Sequence, residues 1–251
     1  MNSPLAPRRS KLLSSHVALV AFATLIAAPV ALAETAPAAS TTAPVVVPAA
    51  SGAAAVTLSA SDVAAKVQKV SDGVLTYEAD FTQDYTMKAF GAKKSQSGHV
   101  TFMKPGKMRW EYNEPKENVV VSDGVTLWSY IAAEKSARKM LVKDSQTPAA
   151  LAFLTGKGAL EKEFNLELVD PAVLKYEGGY VLRATPKVAT SLYKYVLFFV
   201  RATTFHVTRV LIVDDQDNRN RFEFTAEKVN LKYDDAKFTW APPTGVTVTS
   251  N

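Results

Sequence analysis

The sequence of 251 residues contains no cysteine and only three histidines. The lack of cysteine excludes a disulfide framework, a thiolate metal site and an acylated cysteine after the leader. Only His99 and His206 lie beyond residue 33, and neither stands at a metal-ligand spacing or in a Ser-His-Asp arrangement. We therefore expect no metal, no cofactor and no catalytic residue.

Motifs for phosphate and calcium chemistry are also missing at the required spacing. Gly156-Lys157-Gly158 lacks the preceding glycine and the following Ser or Thr of a Walker motif. The acidic run 214–218 is similar to a calcium loop, but Arg219 occupies the fifth ligand position and Ala226 the twelfth when the loop starts at Asp215. A solvated turn explains that run, and the sequence does not favour an enzyme.

Long hydrophobic runs are scarce, and the longest lies near the start of the chain. Residues 17–28 are apolar, follow basic residues that include Arg8 and Arg9, and precede an Ala-Leu-Ala sequence that ends at Ala33. This pattern is typical of a cleaved secretory signal peptide over residues 1–33 and is too short for a membrane-spanning helix. The arginine pair also fits a twin-arginine leader, but the general secretory route is favoured, and we expect the mature protein to be soluble in the periplasm.

Excess charge of one sign is nearly absent once the leader is removed. Three of the 29 Lys and Arg residues and none of the 24 Asp and Glu residues lie in residues 1–33, which leaves 26 basic against 24 acidic side chains and a net charge of +2. This balance, without a basic cluster interleaved with aromatics, does not indicate nucleic-acid binding.

Aromatic residues are missing from residues 34–58, which are rich in Ala, Pro, Thr and Val. Such a segment cannot bury a core, so we interpret it as a flexible linker, with a cell-wall-spanning tether as the alternative. The remaining residues 59–251 have the length of one domain.

Residues 100–130 hold the clearest pattern in the chain. Met108, Trp110 and Tyr112 alternate with charged residues, which predicts a half-buried strand with one aromatic face. Turns are predicted at Lys104-Pro105-Gly106 and at Ser122-Asp123-Gly124, so this block is expected to fold as consecutive antiparallel hairpins.

The same residues resemble a known family. The order Phe-x-Lys-Pro-Gly-x-x-Arg-Trp-x-Tyr at 102–112, followed by Val-Ser-Asp-Gly-x-x-Leu-Trp-x-Tyr at 121–130, resembles the outer-membrane lipoprotein carrier protein (LolA) family. Phe81-Thr82-Gln83 is similar to that family's first strand, Thr147-Pro148 opens a helix where the family has one, and residues 235–248 are similar to its closing segment.

Elsewhere the pattern favours strands. A helix capped by Ser59 or Ser61 is expected to end at Ser71-Asp72-Gly73, and a polar hairpin loop is predicted over 91–98. With the resemblance, the fold class is α+β: a strongly curved antiparallel sheet of about eleven strands that forms an incomplete barrel, with helices as a lid over an apolar cavity. Several strands, for example 195–200, are apolar on both faces, which fits either a cavity or ordinary core packing. The resemblance favours the cavity.

The resemblance implies a set of lipid-binding side chains. Those on strands are Phe81, Phe102, Trp110, Tyr112, Trp128 and Tyr130, and those on the lid helix are Leu151, Phe153 and Leu154.

Two further roles follow from the resemblance. Met108 stands where the family has an exposed hydrophobic residue for partner docking, with core packing as the alternative. Lys104 stands where the family usually has an arginine that latches the lid, and we expect it to bind carbonyls at the end of the helix that starts near Pro148. The alternative for Lys104 is a solvated turn residue.

The function that the resemblance implies is a monomeric periplasmic carrier without a cofactor. It would take acylated lipoproteins from an inner-membrane ABC-type releasing complex and deliver them to an outer-membrane acceptor. A lipid- or lipoprotein-sensing regulatory domain of similar half-barrel shape is the main alternative, and a hydrolase of envelope polymers is disfavoured by the missing catalytic residues.

Overall fold

A computed structural model describes residues 58–145 and 158–250. The predicted signal peptide, all but the last residue of the predicted linker, and the lid-helix residues Leu151, Phe153 and Leu154 lie outside these ranges. Their expected roles stay predictions.

Twelve strands form one sheet in the described part of the chain. They are β1 (Thr76–Thr86), β2 (Lys93–Met103), β3 (Lys107–Glu114), β4 (Val119–Asp123), β5 (Thr126–Ile131), β6 (Ser136–Leu141), β7 (Phe164–Val169), β8 (Gly179–Pro186), β9 (Tyr195–Arg201), β10 (Val207–Val213), β11 (Arg219–Val229) and β12 (Thr247–Ser250). The spatial order is β12-β6-β5-β4-β3-β2-β1-β11-β10-β9-β8-β7. Because β12 and β7 stand at opposite ends of this order, the sheet is an open, incomplete barrel, as predicted.

The strand count differs from the predicted one by the last strand. β12 pairs in parallel with β6, whereas every other pair is antiparallel. All four residues of β12 are exposed, so no alternation of burial marks it as a strand in the sequence.

Two α-helices are described, α1 (Ala60–Gly73) and α2 (Leu160–Glu163). Ser59 caps α1 in a reciprocal capping box with Asp62, which confirms the predicted start of this helix. Val63, Ala64 and Val67 form its buried face. In the described residues, neither helix is long and apolar enough to cross a membrane.

Helix α1 packs against α2, β7 and β8. Its last turn is held from the other side, where Lys104 in the β2–β3 turn donates to the Ser71 carbonyl at 2.5 Å. Because β2 and β8 are separated by four strands in the sheet order, α1 extends across one face of the sheet. We call this the inner face.

The predicted polar loop over 91–98 is wrong from Lys93 onward. β2 begins at Lys93, and Gly98 lies within it, opposite Phe81. A Cβ atom at Gly98 would stand 2.0 Å from the Glu111 carbonyl oxygen and 2.9 Å from Phe81 Cε1. This glycine therefore allows the close approach of a strand and an aromatic ring rather than a turn.

The two-sided apolar strands have a local explanation. On β9, Val196, Phe198 and Val200 face the main core, whereas Leu197 and Phe199 face a small second core on the outer face. Two features cover that second core. One is the short 3₁₀ turn Pro171–Leu174, and the other is Arg209, whose guanidinium lies 4.9 Å from the Phe199 ring centre. Both faces of β9 are thus buried by protein.

Candidate functional site

The inner face carries a continuous group of aromatic rings, which we call the inner aromatic cluster. Its members are Tyr77, Phe81, Phe102, Trp110, Tyr112, Phe222 and Phe224. The indole of Trp110 is central: its ring centre lies 4.9 Å from that of Phe81, 5.6 Å from Phe102 and 5.6 Å from Phe222. Edge-to-face contacts of this kind stabilise a rigid apolar surface.

Strand register explains why these rings meet. Trp110 of β3 stands opposite Val100 of β2, and Phe81 of β1 stands opposite Gly98 of β2 and Phe224 of β11. Residues directly opposite each other in antiparallel strands share a face, so alternation along β1, β2, β3 and β11 directs all of these rings to one side. The four predicted residues Phe81, Phe102, Trp110 and Tyr112 are therefore brought together.

The prediction for Trp128 and Tyr130 is wrong in its geometry. Trp128 stands opposite Val121, which in turn stands opposite Arg109, the outward neighbour of Trp110. Both side chains lie on the outer face, where each ring centre is 5.3 Å from that of Trp240. We call Trp128, Tyr130 and Trp240 the outer aromatic patch.

Met108 is buried, with 8% of its surface exposed, and belongs to the main core. The expectation of an exposed docking residue is therefore wrong in this structure, and core packing, the alternative, is what is observed. Its strand position explains this placement, because Met108 shares the inner face with Trp110 two residues later.

Among the described residues, Lys104 binds a carbonyl at the end of helix α1. The Ser71 carbonyl belongs to α1, whereas the helix predicted from Pro148 lies outside the described residues. The negative end of the α1 dipole favours a cation at this position. Burial lowers the pKa of Lys104, and the nearby Asp72 carboxylate opposes that shift.

Asn230 is a second tie at the end of α1, and the sequence did not reveal it. Its amide nitrogen donates to the Gly73 carbonyl at 3.2 Å, and its side-chain oxygen accepts from the Leu75 amide at 2.8 Å. A long-range contact of this kind has no local sequence signal.

A cleft of about 60 Å³ opens between the second half of α1 and the β9–β10 turn. Its apolar wall consists of Val67, Val70, Val74, Phe102, Phe205, Val207 and Val229. Ser71, Tyr77, Lys104 and His206 supply the polar part. This volume is small compared with an acyl chain of about 14 methylenes, and a movement of α1 or of the turn would enlarge it.

The polar groups at the opposite end of the cluster are paired. The Tyr112 hydroxyl donates to Gln83 at 3.4 Å, and Gln83 donates to Asn220 at 2.9 Å. Burial raises the pKa of Tyr112, which keeps its hydroxyl neutral. Within the described ranges, no three His, Cys, Asp or Glu side chains are grouped as a metal site would require.

Known proteins provide an independent comparison. The family model described as "Outer membrane lipoprotein carrier protein LolA" matches residues 72–241. An outer-membrane lipoprotein carrier protein of Nitrosospira multiformis is 33% identical over 179 residues, which are 70% of this chain and 82% of that protein. The carrier protein of Klebsiella pneumoniae is 30% identical over 190 residues, 74% of this chain and 87% of its own.

Solved structures are more distant. A LolA superfamily protein from Nitrosomonas europaea gives a TM-score of 0.43 at 12% identity and covers 73% of this chain and 99% of that chain. The crystal structure of MucB gives a TM-score of 0.41 at 14% identity, and the match covers 72% of this chain and 62% of the MucB chain. Scores at this level support no inference about function. The match to the family model and the identity to these two relatives show that the chain belongs to the outer-membrane lipoprotein carrier protein (LolA) family.

Proposed function

We propose that this protein is a periplasmic carrier that shields the acyl chains of lipoproteins released by an inner-membrane ABC-type complex and delivers them to an outer-membrane acceptor. The observation that supports this most is the inner aromatic cluster, an apolar surface crossed by a helix that is tied at its end by a side chain. The carrier names of the relatives agree with it.

Energetics explain why such a surface needs a cover. Each buried methylene contributes about 0.8 kcal/mol, so one acyl chain of about 14 methylenes would contribute on the order of 11 kcal/mol. Two or three chains would exceed the practical ceiling of roughly 18–21 kcal/mol for non-covalent binding. A carrier must offset much of this free energy in order to release its cargo.

Helix α1 can supply the offset. Val63 and Val67 are 0% and 2% exposed in this structure. Lifting α1 would expose both, at about 1.5–3 kcal/mol for each side chain, and would break the Lys104 and Asn230 ties. When cargo leaves, these contacts form again, so closure of α1 favours release.

The experiment uses a cleft residue, because Trp110→Glu would place a charge in a packed core and unfold the protein. Val70→Glu alters a half-buried wall of the cleft, and Val188→Glu, at a site 82% exposed just after β8 and outside the cleft residues, is the matched control. We expect lipoprotein to co-purify from the periplasm with the wild type and with Val188→Glu, and to be lost with Val70→Glu.

Mass spectrometry of the bound material and transfer to an outer-membrane acceptor complete the test. Cargo that binds but is never transferred would instead favour the sensing domain. Absence of acylated material from the folded wild type would overturn the proposal.

A further inference from the structure

The cleft beside α1 is lined by apolar side chains, but a polar atom that the fold does not satisfy lies in its wall. Tyr77 stacks on Phe102 with ring centres 5.9 Å apart, which places its ring in the inner aromatic cluster. Within the described ranges, the buried Tyr77 hydroxyl has no hydrogen-bond partner. Burial raises the pKa of this hydroxyl, the Glu227 carboxylate adds to the shift, and Arg201 opposes it. Tyr77 therefore presents a neutral donor beside an acidic group.

Glu227 reaches the same face through a bulge in β11. Ala226 has φ of 53°, and the pairing between β1 and β11 shifts by one residue at this point. Val229, two residues beyond Glu227, stands opposite Tyr77. The bulge thus turns Glu227 to the inner side, where its side chain is only 11% exposed.

Only one oxygen of Glu227 has a counter-charge among the described residues. Oε2 lies 3.5 Å from Arg201 Nη1 and 3.6 Å from His206 Nδ1. Oε1 is buried without a hydrogen-bond partner in the described part of the chain. Glu227 therefore offers one unused acceptor behind the cleft residue His206.

The position of these two atoms sets them apart from the other unpaired buried polar atoms of the described residues. The other three, on Thr101, Arg183 and Arg209, lie on the outer face, and the two arginines lie over aromatic rings there. An unsatisfied buried polar group costs about 1–3 kcal/mol. A donor and an acceptor left unpaired on the inner face, beside an apolar cleft, are what a polar ligand group would satisfy.

We infer that the cleft binds the polar end of an acyl chain in the form of a secondary amide, whose carbonyl accepts from Tyr77 and whose N–H donates to Glu227. This inference rests on the proposed carrier function and names the part of the cargo that is recognised. An ester accepts a hydrogen bond but cannot donate one. A carboxylate would also meet the negative charge of Glu227. The amide that joins an acyl chain to a peptide terminus satisfies both atoms.

Three ligands with equal alkyl chains separate these cases: N-dodecylacetamide, dodecyl acetate and tridecanoate. Each is titrated against the full-length mature protein by displacement of a fluorescent apolar probe. We expect the amide to bind about ten- to a hundredfold more tightly than the ester, since one hydrogen bond to a charged carboxylate is gained. Tridecanoate is expected to bind more weakly than the amide.

Tyr77→Phe removes the hydroxyl and keeps the ring. We expect this variant to bind the amide about two- to tenfold more weakly and to bind a pure hydrocarbon chain with unchanged affinity. It should unfold at the same or a higher temperature, because the empty protein loses an unpaired buried group. Tyr85→Phe removes a hydroxyl from the same face of the same strand but outside the cleft residues, and should change none of these values.

Glu227→Gln tests the acceptor and should lower the preference for the amide over the ester. Equal affinity for amide and ester in the wild type, or an unchanged amide affinity in Tyr77→Phe, would overturn the inference. If either result is obtained while the wild type still binds all three ligands, the inference fails but the proposed carrier function stands. Loss of binding of every chain to the wild type would count against the carrier function itself.

Discussion

The tie between Lys104 and α1 makes a quantitative prediction about cargo affinity. Lys104→Met removes the ammonium group but keeps most of the apolar stem. The lost contact is a charge-assisted hydrogen bond of 2.5 Å to the Ser71 carbonyl. Such bonds contribute about 1.5–3 kcal/mol, and a cation at a helix C-terminus adds about 0.3–1 kcal/mol.

Part of this gain is offset, because Lys104 is half-buried and its ammonium loses water in the closed state. We therefore expect a net loss of about 1–2 kcal/mol from the closed, empty protein, equivalent to a factor of about 5–30. Because cargo competes with closure of α1, the variant should bind lipoprotein more tightly by that factor and transfer it to the acceptor more slowly. Its free energy of unfolding should fall by the same amount.

The assay combines equilibrium cargo binding, transfer to an outer-membrane acceptor, and urea unfolding. Lys69→Met, an exposed lysine on the same helix, controls for loss of charge. The reasoning is refuted if Lys104→Met is less stable but binds and transfers cargo as the wild type does, since the tie would then be structural only.

Three further predictions concern the frame of the site. Gly98→Ala should destabilise the protein by about 1–3 kcal/mol in urea unfolding, because the added methyl would overlap the Glu111 carbonyl. Glu78→Gln should be less stable than the wild type at neutral pH. Hydrogen bonds from Tyr233 and Lys228 hold the pKa of Glu78 at about 2, against an ordinary value of 4.5. The difference in stability between the variant and the wild type should therefore shrink as the pH falls from about 4.5 to about 2. Trp240→Ala should increase amide exchange in β12 without changing cargo affinity, since this ring holds the segment just before β12 against Trp128 and Tyr130 on the outer face.

Most of the sheet could be predicted from the sequence because its strands alternate and its turns carry recognisable residues. The start of α1 followed from a capping serine, and its end followed from Gly73. The alternation of Trp110 and Tyr112 identified the inner face correctly. Similar alternation of Phe222 and Phe224 in β11 would have added both rings to the cluster.

Other features depend on long-range geometry that alternation does not encode. The face of Trp128 was mispredicted because an aromatic strand residue looks the same whether it faces the core or packs on another ring such as Trp240. Glu227 was missed because a bulge at Ala226, without a glycine to mark it, changes the phase of the strand. The sequence alone did not show that Lys104 binds the end of α1 rather than the end of the helix predicted from Pro148.

The positions of the three tryptophans allow a direct measurement of where cargo lies. Trp110 is in the inner aromatic cluster, whereas Trp128 and Trp240 are on the outer face. The double variant Trp128→Phe/Trp240→Phe therefore reports on the inner face, and Trp110→Phe reports on the outer face. Each is titrated with a lipoprotein whose acyl chains carry bromine, which quenches indole fluorescence on contact. Acyl chains bound on the inner face should quench Trp110 and leave the outer pair unchanged; quenching of the outer pair with Trp110 unaffected would contradict the proposed carrier site.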